Sequence, residues 1–233
     1  MDMIAIQHGY YERDGFSLDI DFSIAAGTLT AVLGPSGAGK STVLNIIAGF
    51  DHLQRGTLLL DGLRQTNAAP ADRPVTFVFQ DNNSFAHMTT RNNVALGIAP
   101  HLKLTAAQWN DVDTALYHCG IAHLAERKPG DMSGGERQRI ALARVLVRRK
   151  PILLLDEAFA ALGPALRHEM LLLVQRFQVE RQLTVLMVTH HPDDAKLIAK
   201  QIIFVSDGKV LAPQSTKAFF ASRTAAVRQY LGT

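Results

Sequence analysis

Gly34-Pro35-Ser36-Gly37-Ala38-Gly39-Lys40-Ser41-Thr42 fits the phosphate-binding pattern G-x-x-x-x-G-K-[S/T] at every specified position. Glycines let such a loop wrap until successive backbone N–H groups converge on a phosphate, in conformations that a Cβ obstructs. Lys40 adds a point positive charge for the outer phosphates and Ser41 offers a hydroxyl to Mg²⁺. A helix starting near Lys40 aims its partially positive end at the anion. The flanks agree: Thr28 to Leu33 reads as a buried strand entering the loop, and Val43, Leu44, Ile46 and Ile47 as a short apolar helix ending at Gly49. A nucleotide with its Mg²⁺ is the expected ligand, held by residues 34–42.

Upstream, Ile4 and Ile6, then Phe16, Leu18, Ile20, Phe22 and Ile24, recur with period two, which predicts half-buried antiparallel strands. Thr57 to Leu60 followed by Asp61-Gly62 predicts a hairpin, and Val75 to Phe79 a short apolar strand. From about Ser84 to Lys150 the period becomes helical, with Thr105 and Gln108 as a capping box ahead of a face made by Trp109, Val112, Leu116 and Cys119. Apolar strands return at Ile152 to Leu155, Thr184 to Val188 and Ile202 to Val205, with helices led by Pro164 and Pro192. This alternation predicts an α/β fold with a mainly parallel sheet covered on both faces. An N-terminal antiparallel β subdomain and an inserted helical subdomain at roughly 84–150 complete a single domain over 1–233.

Two further stretches carry chemistry. Ile152 to Leu155 is an apolar strand ending in Asp156 and Glu157, and carboxylates at the C-terminal edge of a parallel sheet face the ligand. Asp156 is expected to hold Mg²⁺, and Glu157, on the strand's other face, to polarise an attacking water as general base. Met132 to Arg139 contains Ser133 and Glu136 as a capping box opening a helix through Ile140, Ala141, Ala143, Val145 and Leu146. The same helix start, with Gly134 and Gly135, suits close approach of a phosphate, so capping and binding are compatible.

At 233 residues, 47% hydrophobic, the chain suffices for one large domain with a sizeable core. Its 24 Lys and Arg exceed its 21 Asp and Glu by three, so neither a nucleic-acid arm nor a polybasic anchor is expected. No apolar run approaches a membrane span and Met1-Asp2-Met3-Ile4 is no leader, which predicts a cytosolic location. The single cysteine, Cys119, excludes an internal disulfide and reads as a core thiol.

Ser133-Gly134-Gly135-Glu136 resembles the signature loop of ABC-type ATPases, and it stands between the phosphate loop and the Asp156-Glu157 strand as in that family. Gln80 resembles the family's Q-loop glutamine and His190 its switch histidine; Tyr11, or else Tyr10, resembles the aromatic that stacks on adenine. The resemblance covers nearly the whole chain and implies an ABC-type P-loop NTPase that hydrolyses ATP with Mg²⁺. By that resemblance Glu157, His190 and Gln80 are catalytic, and Ser41, Gln80 and Asp156 surround the metal. It also implies a head-to-tail homodimer in which Ser133, Gly134, Gly135 and Glu136 act on the ATP held by the other copy.

A single cassette without fused membrane helices resembles the nucleotide-binding subunit of an importer. The implied setting is the cytoplasmic face of a bacterial inner membrane, beside permease subunits and, indirectly, a periplasmic substrate-binding protein. Phe85, His87, Met88 and Val94 are expected in the groove that receives the permease. Phe79 to Asn83, Leu102-Lys103-Leu104 and Pro164 to Arg167 resemble importer ATPases for thiamine, which implies thiamine or its phosphates as cargo. Iron or another small solute is the alternative cargo, and a nucleotide-gated module with impaired hydrolysis the alternative role. Two positions depart from the family: Gly163 stands where an aspartate is usual, implying weaker coupling between sites, and Glu136 replaces a glutamine, with a small effect expected.

Overall fold

The computed structural model of the chain describes residues 1–79 and 84–232. Its strands are β1 (Asp2–Arg13), β2 (Phe16–Ala25), β3 (Leu29–Leu33), β4 (Arg55–Leu60), β5 (Leu63–Arg64), β6 (Val75–Val78), β7 (Ile152–Asp156), β8 (Thr184–Val188), β9 (Gln201–Ser206), β10 (Lys209–Val210) and β11 (Gln214–Ser215). The helices are α1 (Lys40–Ala48), α2 (Thr90–Ala95), α3 (Ala106–His118), α4 (Gly134–Arg148), α5 (Pro164–Arg181), α6 (Pro192–Ile198), α7 (Thr216–Phe220) and α8 (Ala225–Leu231). By packing, the chain falls into two compact units. The first takes in Met1–Phe77, Pro151–Glu157 and Gln178–Thr233, and the second Val78–Lys150 and Ala158–Phe177. The second unit therefore gathers most of α5 as well as the 84–150 segment.

In the first unit the strand order is β5-β4-β1-β2-β10-β9-β3-β8-β7-β6, with β11 on β9. β9, β3, β8 and β7 run parallel, whereas β1 pairs antiparallel with β2 and β4. β3 (LTAVL) and β8 (TVLMV) are buried at every residue, because a parallel strand covered on both faces has no side for water. β2 instead alternates buried and exposed residues, as a half-covered antiparallel strand does. The two-residue β10 joins these parts, parallel to β2 and antiparallel to β9.

Period-two alternation divides the core. Val32, Leu154, Val188 and Ile203 face a cluster with Val43, Leu44 and Ile47 of α1 and the apolar residues of β1 and β2. Ala31, Leu33, Ile202 and Phe204 face the opposite way and pack with Ala195, Phe219 and Val227. At the β4–β5 turn Asp61 and Gly62 both have positive φ, 50° and 73°, the two left-handed residues of a hairpin turn whose twist matches its strands.

In the second unit α3 and α4 each start with a complete capping box, Thr105 with Gln108 and Ser133 with Glu136. Cys119 is fully buried, and burial pushes its thiol up to about 12, so it is an inert core group. Val94 differs from expectation: it sits on the inward face of α2 at 0% exposure and belongs to the core, while Phe85 and His87 are exposed and meet edge-on at 6.1 Å. Asn93 organises the backbone beneath them, donating to the Phe85, Met88 and Thr89 carbonyls and accepting the Phe85 N–H. Among the described residues no helix is long and apolar enough to cross a membrane.

Candidate nucleotide site

β3 delivers the chain into the loop at Gly34, where a Cβ would lie 2.1 Å from the Val205 carbonyl oxygen. Only glycine permits that approach. Gly39 closes the loop with φ 99° and caps α1 without any side-chain hydrogen bond. The first-turn amides of α1 thus keep their donors for an incoming anion. Pro35, Ser36 and Gly37 form the exposed crest, Ala38 is half-buried, and Ser41 and Thr42 occupy the first turn of α1.

Lys40 is buried, and its ammonium donates to the Gly34 and Pro35 carbonyls at 2.9 and 2.7 Å. Burial lowers its pKa, and the nearby Glu157 and Asp156 carboxylates oppose that fall. Ser41 donates its hydroxyl to Asp156 at 2.9 Å. Burial raises the Asp156 pKa, and the Ser41 hydrogen bond and the positive charge of Lys40 pull the other way. A hydroxyl and a carboxylate in contact beneath a phosphate cradle are the hard oxygen donors that suit Mg²⁺, which keeps several waters and binds through few protein groups.

Glu157 departs from its expected position. β7 ends at Asp156, and Glu157 lies past the strand in the left-handed region, φ 47°, with its N–H on the Val188 carbonyl at 3.2 Å. A turn, rather than strand pleating, aims its side chain. Such a φ is costly for a non-glycine residue and persists only where the surroundings enforce it. The carboxylate meets His190 Nε2 at 2.5 Å. The turn carrying His190 is pinned by Thr189, whose hydroxyl donates to Asp194 at 2.9 Å and accepts the His191 N–H at 3.1 Å. A carboxylate and an imidazole, 117 and 150 residues downstream of the loop lysine in sequence, thus converge on the same sheet edge.

Tyr11 is 5% exposed, with its hydroxyl 3.4 Å from Asp51 and its ring edge-on to Phe16 at 6.5 Å. Phe16 is the ring that reaches the loop: a Cβ on Gly39 would lie 2.6 Å from it. Tyr10 points to the other face of β1, under the Arg55 guanidinium at 4.7 Å. In the sequence Phe16 reads as one more apolar residue of an alternating strand.

The helical unit holds the remaining motif. The Ser133 N–H and hydroxyl both donate to Glu136 Oε2, at 2.7 and 2.8 Å, and Ser133 Oγ accepts the Glu136 N–H at 3.3 Å. Donation from the Ser133 N–H and hydroxyl holds the Glu136 carboxyl below its usual pKa. Gly134 is half-exposed, and Gly135 packs so closely on Leu166 that a Cβ would lie 2.2 Å from it. The Gln138 amide donates to the Ala158 carbonyl, tying this helix to the segment after Glu157. Gln80 lies outside the described residues.

Residues 18–160 match the ABC transporter family. The chain is 50% identical over 216 residues to the thiamine import ATP-binding protein ThiQ of Mesorhizobium japonicum, covering 92% of this chain and 85% of that protein. It is 48% identical to ThiQ of Cereibacter sphaeroides over 232 residues, 100% and 98% of the two chains. An ATP-binding cassette of an ABC transporter, solved in its ADP conformation, superposes with a TM-score of 0.89 over 100% of both chains at 23% identity, a likeness of fold. A component of the ABC transporter complex CbiONQ from Clostridium perfringens gives 0.86 at 29% identity, over 95% and 92%.

Proposed function

Because the chain belongs to the ABC transporter family, we propose that its site couples ATP hydrolysis to import of thiamine or its phosphates through membrane permease subunits. The chain is an ATP-hydrolysing transport ATPase of that family. The single observation that carries the reading is the pairing of Ser41 with Asp156 and of Glu157 with His190 around one phosphate loop. The thiamine assignment draws on ThiQ relatives that span nearly all of the chain. No side chain described above selects thiamine over iron or another small solute. The alternative of a module with impaired hydrolysis requires a missing catalytic group, whereas Lys40, Asp156, Glu157 and His190 are all there.

On this reading residues 34–42 wrap the phosphates with backbone N–H groups, and Lys40 turns from the Gly34 and Pro35 carbonyls to the outer phosphate oxygens. Ser41 and Asp156, joined by Gln80, would hold Mg²⁺, which would supply positive charge to the phosphates. Glu157 takes a proton from the attacking water as that oxygen bonds to the γ-phosphorus and the bond to ADP breaks. His190 holds the Glu157 carboxylate and faces the γ-phosphate. Tyr11 and Phe16 supply the apolar wall toward adenine. Ser133, Gly134, Gly135 and Glu136 would act on the other copy's ATP in a head-to-tail homodimer. The assembly sits peripherally on the cytoplasmic face of a bacterial inner membrane, fed by a periplasmic substrate-binding protein, with Phe85, His87 and Met88 toward the permease.

The test is uptake of labelled thiamine by cells whose chromosomal copy is intact or carries Lys40→Ala, with labelled iron as control. Selective loss of thiamine uptake is expected. Unchanged thiamine uptake in the variant overturns the cargo assignment.

A further inference from the structure

The two groups that meet at the sheet edge hang from the same strand end. β8 closes at Val188, whose carbonyl accepts the Glu157 N–H at 3.2 Å. Two residues on, His190 Nε2 meets the Glu157 carboxylate at 2.5 Å. Contacts and chain thus close a small ring, from Glu157 to Val188, along to His190 and back to Glu157. The His190 side chain is 41% exposed, so burial does not fix its ring and the turn beneath it has to. Thr189 stands inside that turn and is buried. Its hydroxyl donates to Asp194 at 2.9 Å and accepts the His191 N–H at 3.1 Å. Asp194 is itself buried in the first turn of α6, and its N–H is held by the His191 carbonyl at 3.1 Å. One hydroxyl therefore grips the chain on both sides of His190.

Helix capping does not account for this grip. An N-cap side chain accepts an N–H from the second or third helical residue, whereas Thr189 accepts from His191, the residue ahead of the helix. Valine fills a similar volume, so what threonine adds is the hydroxyl, and that is spent as donor and as acceptor on this turn. We propose that Thr189, anchored by Asp194, is a positioning residue for ATP hydrolysis, fixing the turn that presents His190 to Glu157. This rests on the reading of Glu157 and His190 as the groups that act on ATP. Without the hydroxyl the turn is released, and Glu157 loses the partner that orients it.

The experiment measures kcat and KM for ATP in the full chain and in Thr189→Val, Thr189→Ser, His190→Ala and the double variant His190→Ala/Thr189→Val, each well below its melting temperature. Thr189→Val is expected to lower kcat about 10-fold while KM stays within about twofold. Thr189→Ser, which restores the hydroxyl, is expected to recover to within about threefold of wild type. On top of His190→Ala, Thr189→Val is expected to change turnover by less than about twofold, since a residue that acts through the histidine has nothing left to position. Asp194→Ala removes the anchor and leaves Thr189 in place; it carries the same expectations, alone and with His190→Ala, should the valine variant fail to fold. Wild-type kcat in Thr189→Val overturns the proposal. So does a serine variant as slow as the valine one, or a second loss of about 10-fold added to that of His190→Ala. Wild-type turnover in His190→Ala overturns the reading of the histidine instead, and the proposal with it.

Discussion

Replacing Arg73 with methionine is expected to lower the unfolding temperature by roughly 6–16 °C, although Arg73 touches no proposed ligand. Arg73 is 0% exposed, and its guanidinium donates to the Ile46 and Ile47 carbonyls at 2.6 and 2.8 Å and to the Ala68 carbonyl at 3.0 Å. Ile46 and Ile47 belong to the last turn of α1, whose carbonyls have no partner within the helix. The N–H groups of Gly49, Phe50 and Asp51 converge instead on Asn45, so the next two carbonyls fall to the arginine. Its positive charge also complements the negative end of the helix. Each charge-assisted hydrogen bond contributes about 1.5–3 kcal/mol. Burial holds the guanidinium pKa below its usual value, so part of the sum is offset by desolvation, leaving a net loss of about 3–4 kcal/mol. For a chain of this size each kcal/mol moves the melting temperature by about 2–4 °C. Calorimetry without nucleotide measures it directly. Arg73→Lys should fall between, since it keeps the charge and lacks the fork. A methionine variant melting within about 2 °C of wild type would refute the cap.

Glu157→Gln is expected to cut phosphate release at least ~100-fold while leaving nucleotide affinity nearly intact; residual turnover above about a tenth of wild type contradicts the general-base role. Asp156 has a raised pKa, so the native chain binds its proton more readily than the unfolded chain. Its ionisation then opposes folding above the native pKa, and that penalty is relieved as pH falls through the native pKa toward the unfolded value. Without nucleotide, Asp156→Asn should therefore melt higher than wild type near pH ~8, with the gap closing toward about pH 4, and should lose Mg²⁺-dependent turnover; a lower melting temperature near pH ~8 counts against it. Gly163 has open space around its Cβ direction, so Gly163→Asp should melt within about 1 °C of wild type while steepening the Hill slope of ATP hydrolysis. An unchanged slope would mean that the glycine has no part in coupling.

What the sequence made legible was local. α1 starts at Lys40 and ends at Gly49, and both capping boxes form, because each signal is complete within about a turn of chain. The parallel strands were legible because double-sided burial leaves an unbroken apolar run. Positions set by distant parts of the chain were not. Phe16 and Leu18 are set apart from Ile20 only by the approach of Gly39, and Arg73 looks like a surface arginine until the end of α1 arrives beside it. Glu157 shows the limit of period-two reasoning, because one left-handed residue replaces the pleat. The two-residue β10 carries too few side chains to register as a strand, yet it links the antiparallel and parallel parts of the sheet.

Lys40's attachment to two carbonyls of its own loop makes anion capture a substitution: two backbone oxygens depart as phosphate oxygens enter. The affinity seen in a titration is therefore a difference between two hydrogen-bonded states of one buried ammonium. A singly charged anion gains little over the carbonyls it displaces, whereas a triphosphate brings enough charge to win the exchange. The loop thus sets its own threshold against stray anions, and the chain alone supplies the competitor.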